Sequence, residues 1–88
     1  MMRRTTKPEF VEPLLVTLDM LEAATEDELL NQTFQYMKDK LYSSDLVVLP
    51  NGEPRWRYQM QHMLDGLIEY GKILKKDGML RLGENSLP

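Results

Sequence analysis

Residues 55–82 read RWRYQMQHMLDGLIEYGKILKKDGMLRL, and this stretch decides the fold. Trp56, Met60, Met63, Leu64, Leu67 and Ile68 recur at spacings of three and four, which predicts one apolar face of a helix. Arg57, Tyr58, Gln61, His62 and Asp65 fall on or near the opposite face. Gly71 follows the last apolar turn, where a helix stop favours the left-handed backbone that glycine adopts without a Cβ penalty. Two short apolar runs come next, Ile73-Leu74 and Met79-Leu80-Arg81-Leu82, and they flank Asp77-Gly78. Asp-Gly between such runs is a strong signal for a two-residue hairpin turn. The spacing therefore predicts a helix over 55–70 that runs into a basic β-hairpin over 72–82.

Upstream, the chain reads as two more helices. Residues 1–7 are polar and basic, which predicts a flexible N-terminus. A first helix begins near Pro8 or Glu12, because proline fits a first turn, where its missing N–H has no helical partner. Phe10, Val11, Leu14, Leu15, Leu18 and Leu21 make its apolar stripe; Pro13 either sits in the first turn or bends the helix. Thr25 and Glu28 have the spacing of a capping box, and Glu26, Asp27 and Glu28 suit a helix N-terminus electrostatically. A second helix from here carries Leu30, Phe34, Met37 and Leu41 on one face, with Leu29 and Tyr36 beside it, to about Leu41 or Tyr42. Ser43-Ser44-Asp45 breaks it. Leu46-Val47-Val48-Leu49 is either an extended segment or one apolar turn plugging the core. Pro50-Asn51-Gly52-Glu53-Pro54 is a loop.

Eighty-eight residues make one domain, here over 8–82, with a polar tail at 83–88. The absence of cysteine excludes disulfides and thiolate metal sites, and a single histidine argues against a histidine metal site within one chain. The expectation is no cofactor and no metal. No apolar run approaches the ~18 residues of a membrane span. Met1-Met2-Arg3-Arg4 leads into no hydrophobic segment, so the expectation is a cytoplasmic protein without membrane contact.

The formal net charge is −3, unevenly spread. Residues 1–53 carry five basic and ten acidic groups, net −5; residues 54–82 carry six and three, net +3; Glu84 supplies the rest. A basic C-terminal third on an acidic scaffold is compatible with anion binding on one face.

Three helices followed by a hairpin is the element order of a winged helix-turn-helix domain, an α+β and mostly α fold. There the third helix enters the DNA major groove and the hairpin, or wing, touches flanking backbone. Other small α+β domains share this order. At this point the chain resembles the N-terminal winged-helix domain of the Mrr family of restriction proteins. Phe10-Val11-Glu12-Pro13-Leu14-Leu15 resembles that domain's opening. Leu49-Pro50-Asn51-Gly52 resembles its loop before the third helix, and Arg55 through Gly71-Lys72-Ile73-Leu74 resembles the third helix and its entry to the wing. The likeness spans residues 8–82, with short, degenerate motifs. It departs at Tyr70, where the family's Leu-x-x-Ala-Gly ending has alanine. In the restriction proteins a separate endonuclease domain follows, so the resemblance implies a DNA-targeting module or regulator without cutting activity.

The residue types fit that expectation. Arg57, Tyr58, Gln61 and His62 are candidates for reading base edges, since Arg pairs with guanine and Gln with adenine bidentately. Arg55 lies at the helix entrance, where phosphate contacts are common. Lys75, Lys76 and Arg81 are candidates for phosphate contacts from the wing. The plainer alternatives are a solvated helix face and lysines that protect an edge strand. No constellation of nucleophile, base and orienting group assembles from the sequence, so no enzyme is expected. The competing reading is an acidic protein-interaction module or inhibitor, in which residues 9–28 dock a basic DNA-binding partner. A homodimer through the first helix or the termini is compatible with either.

Overall fold

Capping and turn chemistry set the element boundaries in the computed structural model, which describes residues 3–83. A 3₁₀ turn, Lys7–Phe10, leads directly into α1, Val11–Leu21, so Pro13 sits in the first α-helical turn without breaking it. Thr25 caps α2, Glu26–Met37: the Glu28 N–H donates to Thr25 Oγ1 at 3.2 Å, and the Thr25 N–H donates to Glu28 Oε1 at 3.1 Å. The capping box is thus formed as its spacing predicts. α3 spans Arg55–Glu69 after Pro54.

Gly71 ends α3 at φ 77°, with the Lys72 N–H donating to the Leu67 carbonyl at 2.9 Å and the Gly71 N–H to that of Ile68 at 3.1 Å. These two bonds make a Schellman stop and turn the chain straight into the hairpin. β1, Ile73–Lys76, pairs antiparallel with β2, Met79–Leu82, in the register Ile73↔Leu82 to Lys76↔Met79. Asp77 and Gly78 both have positive φ, 53° and 79°, which is the mirror-image turn whose twist matches the strands. The far edge of β2 is not bare, because Ala24 exchanges both backbone bonds with Leu80 as a one-residue third strand. Three helices and this hairpin make a winged-helix α+β layout.

The core lies where the elements cross. Phe10, Leu14, Leu18, Leu29, Leu30, Met60, Leu64, Ile73 and Leu80 are fully buried, with Met37, Trp56 and Leu67 nearly so. Each such side chain contributes about 1.5–3 kcal/mol on leaving water. Phe34 stacks on Trp56 with ring centroids 4.4 Å apart, tying α2 to α3. The predicted face of α3 is therefore the buried one, with Met63 and Ile68 at its margins.

Three local expectations change, and one open alternative is decided. α2 stops at Met37 rather than at Leu41 or Tyr42; Lys38–Lys40 tightens into an exposed 3₁₀ turn, with no apolar burial to hold an α-turn there. Leu21 is 38% exposed, and Thr17 is buried on α1 instead. Of the two alternatives for residues 46–49 the extended one holds: Leu46 closes a 3₁₀ turn, Ser43–Leu46, Val47 and Val48 continue as extended chain with Val48 bridging Pro54, and all three are exposed rather than plugging the core. The N-terminal stretch, expected to be flexible, includes Thr5, which is buried against Asp45. Asp45 is fully buried and accepts from the Thr5 N–H at 2.8 Å, the Thr5 hydroxyl at 2.7 Å and the Tyr42 N–H at 2.8 Å. Its partners explain the burial of a carboxylate, which is costly without such bonds.

Candidate nucleic-acid interface

The helical period that buries Trp56 and Met60 turns Arg57, Tyr58, Gln61, His62 and Asp65 outward along α3. Tyr58 and His62 are exposed and lie one turn apart, their rings 4.6 Å centre to centre and tilted by 52°. They can offer a stacking edge and ring hydrogen-bonding atoms to a ligand. Arg55 is displaced from this stripe. It is half-buried, and its Nη1 lies 3.5 Å from the Ser44 carbonyl, while its N–H donates to Val47 at 2.8 Å. It anchors the start of α3 to the preceding loop.

The hairpin pleat separates the three wing candidates. Lys75 shares a face with Ile73 and Leu80, turned towards the body of the protein, whereas Lys76 and Arg81 lie with Leu74 and Met79 on the outer face. Among the described residues no hydrogen bond or ion pair holds the side chain of Lys76 or of Arg81, and both residues are exposed.

The N-terminal turn of α2 closes over the seam between α3 and the wing. Glu26 Oε2 accepts from Lys75 Nζ at 2.5 Å, and its Oε1 accepts from Gln61 Nε2 at 2.9 Å. The same Gln61 nitrogen donates to Asp65 Oδ1 at 2.9 Å. Beside it, Asp27 Oδ1 pairs with Arg57 Nη2 at 2.7 Å, and Arg57 Nη1 donates to Asn31 Oδ1 at 3.3 Å. The Lys75 ammonium and the Gln61 amide hold the Glu26 carboxyl below its ordinary range, and Glu26 holds the Lys75 ammonium above its own. Both groups are charged at neutral pH.

Of the eight predicted site residues, Arg57, Gln61 and Lys75 thus meet at one patch, Tyr58 and His62 flank it, Lys76 and Arg81 extend it along the wing, and Arg55 stands apart. Glu26, Asp27 and Asn31 belong to the patch although no sequence argument placed them there. Glu26 and Asp27 read as helix-dipole acids, and nothing in the linear chain signals that residue 26 lies against residue 75. With Asp65, three carboxylates face the two cations Arg57 and Lys75, so the patch is locally acidic.

Among the described residues no group of three or more His, Asp or Glu side chains could hold a metal ion, and no helix is long and apolar enough to cross a membrane. Comparison with family models, with curated proteins and with solved structures returns no match.

Proposed function

We propose that this chain is a small DNA-binding module, a regulator or targeting domain. It would set the exposed face of α3 in the major groove and the hairpin along flanking phosphates. The convergence of helix and wing carries this reading: Gln61 from α3 and Lys75 from β1 reach the same carboxylate. A surface on which the reading helix and the wing are contiguous is what simultaneous groove and backbone contact requires. Tyr58 and His62 supply base-edge or stacking contacts, and Lys76 and Arg81 supply unpaired cations for phosphate. The resemblance of residues 8–82 to the Mrr N-terminal domain points the same way.

A second reading is favoured by one specific observation, the acidic turn of α2. The Asp27 side chain is 82% exposed even while paired. On this reading the turn docks a basic protein surface, and the domain is an interaction module or inhibitor. Fluorescence anisotropy of a labelled random-sequence duplex separates the two. Binding that weakens steeply between about 50 and 200 mM salt supports the DNA reading. No binding at the lower salt overturns it. Lys76→Ala with Arg81→Ala should reduce the magnitude of the log K against log salt slope by about 1.8 if both cations meet phosphate.

A further inference from the structure

The seam that bears the candidate DNA-contacting donors is already occupied by the chain's own carboxylates. Lys75 Nζ and Gln61 Nε2 converge on Glu26, and Arg57 Nη2 on Asp27. A carboxylate at hydrogen-bond distance from an ammonium or guanidinium takes the place a phosphate oxygen would take. We infer that Glu26 and Asp27 are specificity-determining residues of the interface. They mask Arg57, Gln61 and Lys75 against indiscriminate phosphate contact, so that stable binding requires a duplex offering base contacts as well. This rests on the DNA-binding reading above.

Three features support the inference. First, the mask is held in place: the Thr25–Glu28 capping box fixes the turn that carries Glu26 and Asp27. Second, it is displaceable. In the Arg57–Asp27 pair the side chains are 26% and 82% exposed, and in the Lys75–Glu26 pair 45% and 29%. Exposed pairs of this kind contribute little to stability and are screened by salt. Third, it is selective in position. Lys76 and Arg81 on the outer face of the wing carry no carboxylate partner among the described residues. Encounter through the wing therefore stays open, while the reading helix is guarded.

Physically, non-specific affinity comes from cations that release condensed counterions when they neutralise phosphates. Arg57 and Lys75, already neutralised within the chain, add little to that term. A phosphate that reaches them must also approach Glu26 and Asp27, which repel it. A sequence that rewards Gln61, Tyr58 or His62 with base contacts can offset the displacement. The mask thus lowers binding to random duplex more than binding to a favoured site.

The test compares wild type with the isosteric double variant Glu26→Gln/Asp27→Asn, using a labelled random-sequence 20-base-pair duplex at several salt concentrations. A second double variant, Glu12→Gln/Asp19→Asn, makes the same change in net charge at exposed positions of α1, which contributes no residue to the seam. The inference predicts that the first variant binds the random duplex on the order of tenfold more tightly, with a salt slope steeper by up to about 1.8 as two cations become available to phosphate. The α1 variant should stay within about twofold of wild type, a change set by screened long-range charge alone. Equal binding by wild type and the seam variant overturns the mask and leaves the DNA reading standing. An equal gain from both variants also overturns it, because net charge then accounts for the effect. If no protein binds duplex even at low salt, the DNA reading falls and the mask with it. A thermal melt of each variant confirms that the comparison is between folded proteins.

Discussion

Replacing Asp45 by asparagine tests a fully buried link between segments 40 residues apart. The Asp45 carboxylate is fully buried and holds three donors from two segments, two of them on Thr5, 40 residues away. Asparagine keeps the shape and removes one acceptor. If its amide nitrogen takes the Oδ1 position, it faces the Thr5 N–H; if it takes the Oδ2 position, it faces the Tyr42 N–H, although the Thr5 hydroxyl can rotate to accept. Either way one buried backbone donor loses its partner, at about 1–3 kcal/mol. The surviving bonds drop from charged to neutral acceptors, losing roughly 1 kcal/mol each, while relief of carboxylate desolvation returns part of this. The net expectation is a loss of about 2–3 kcal/mol, or a fall in Tm of about 10–20 °C for a domain of this size. Thermal unfolding by far-UV circular dichroism at neutral pH measures it. Thr5→Val keeps the N–H and removes only the hydroxyl bond, so it should cost about 1.5 kcal/mol. The double variant should cost less than the sum, because both changes act on one network. A Tm shift for Asp45→Asn below about 3 °C, or strict additivity with Thr5→Val, would refute the reasoning.

Two further predictions concern backbone strain and charge. Glu22 ends α1 at φ 67° and ψ −45°, and the Ala23 N–H donates to the Leu21 carbonyl at 2.8 Å, a tight three-residue γ-turn that strains any side-chain-bearing residue. Glu22→Gly should therefore raise stability by about 1 kcal/mol, strain relief exceeding the added unfolded-state entropy, and a lower Tm would count against it. The depressed carboxyl pKa of Glu26 means that its stabilisation is present above the unfolded carboxyl value and is lost as pH falls through the folded one. The raised Lys75 pKa means the converse: stabilisation is present below the unfolded ammonium value and is lost as pH rises through the folded one. Urea unfolding across pH should show Glu26→Gln losing most of the alkaline decline that comes from Lys75, the remainder being the attraction of Asp65. Part of the acid decline should persist, because Glu9 and Glu28 are also depressed, each chiefly by a backbone N–H of its capping threonine.

The elements that were legible in the sequence are those whose cause is local. The Thr25–Glu28 box, the Gly71 stop and the Asp77-Gly78 turn each depend on residues within one turn of chain. The three-and-four spacing of Trp56, Met60, Leu64 and Leu67 marks the buried face of α3 because the helical period alone brings them together. What was hidden depends on tertiary partners. Asp45 reads as a helix breaker beside two serines, and only the fold delivers Thr5 to it. Leu46, Val47 and Val48 have the composition of a core strand yet stay exposed, because backbone bonds from Val47 and Leu49 to the start of α3 and its loop hold that segment outside the helices. The apolar period carries α2 too far for a related reason: Leu41 fits it, but the three charged residues before Leu41 give the helix nothing to bury.

The candidate site divides along the same line, and the division bears on how the charge should be understood. Residue type and helical face are local properties, so Arg57, Tyr58, Gln61 and His62 could be assigned to one surface from spacing. Pairing is not local. The contrast between an acidic N-terminal part and a basic C-terminal part suggests two faces of opposite sign, one for phosphate and one for a basic partner. In the fold these parts meet, and Glu26 and Asp27 from the first neutralise Lys75 and Arg57 from the second. The surplus of cations in residues 54–82 therefore does not appear as a positive reading face. The described site cations with no carboxylate partner are Lys76 and Arg81 on the wing and Arg55, which is half-buried and directed at the Ser44 carbonyl. A DNA-binding role for this molecule accordingly starts from the wing and gains Arg57, Gln61 and Lys75 only by displacing carboxylates. A partner-docking role would use those same carboxylates and compete with it, so removing Glu26 and Asp27 drives the two roles in opposite directions.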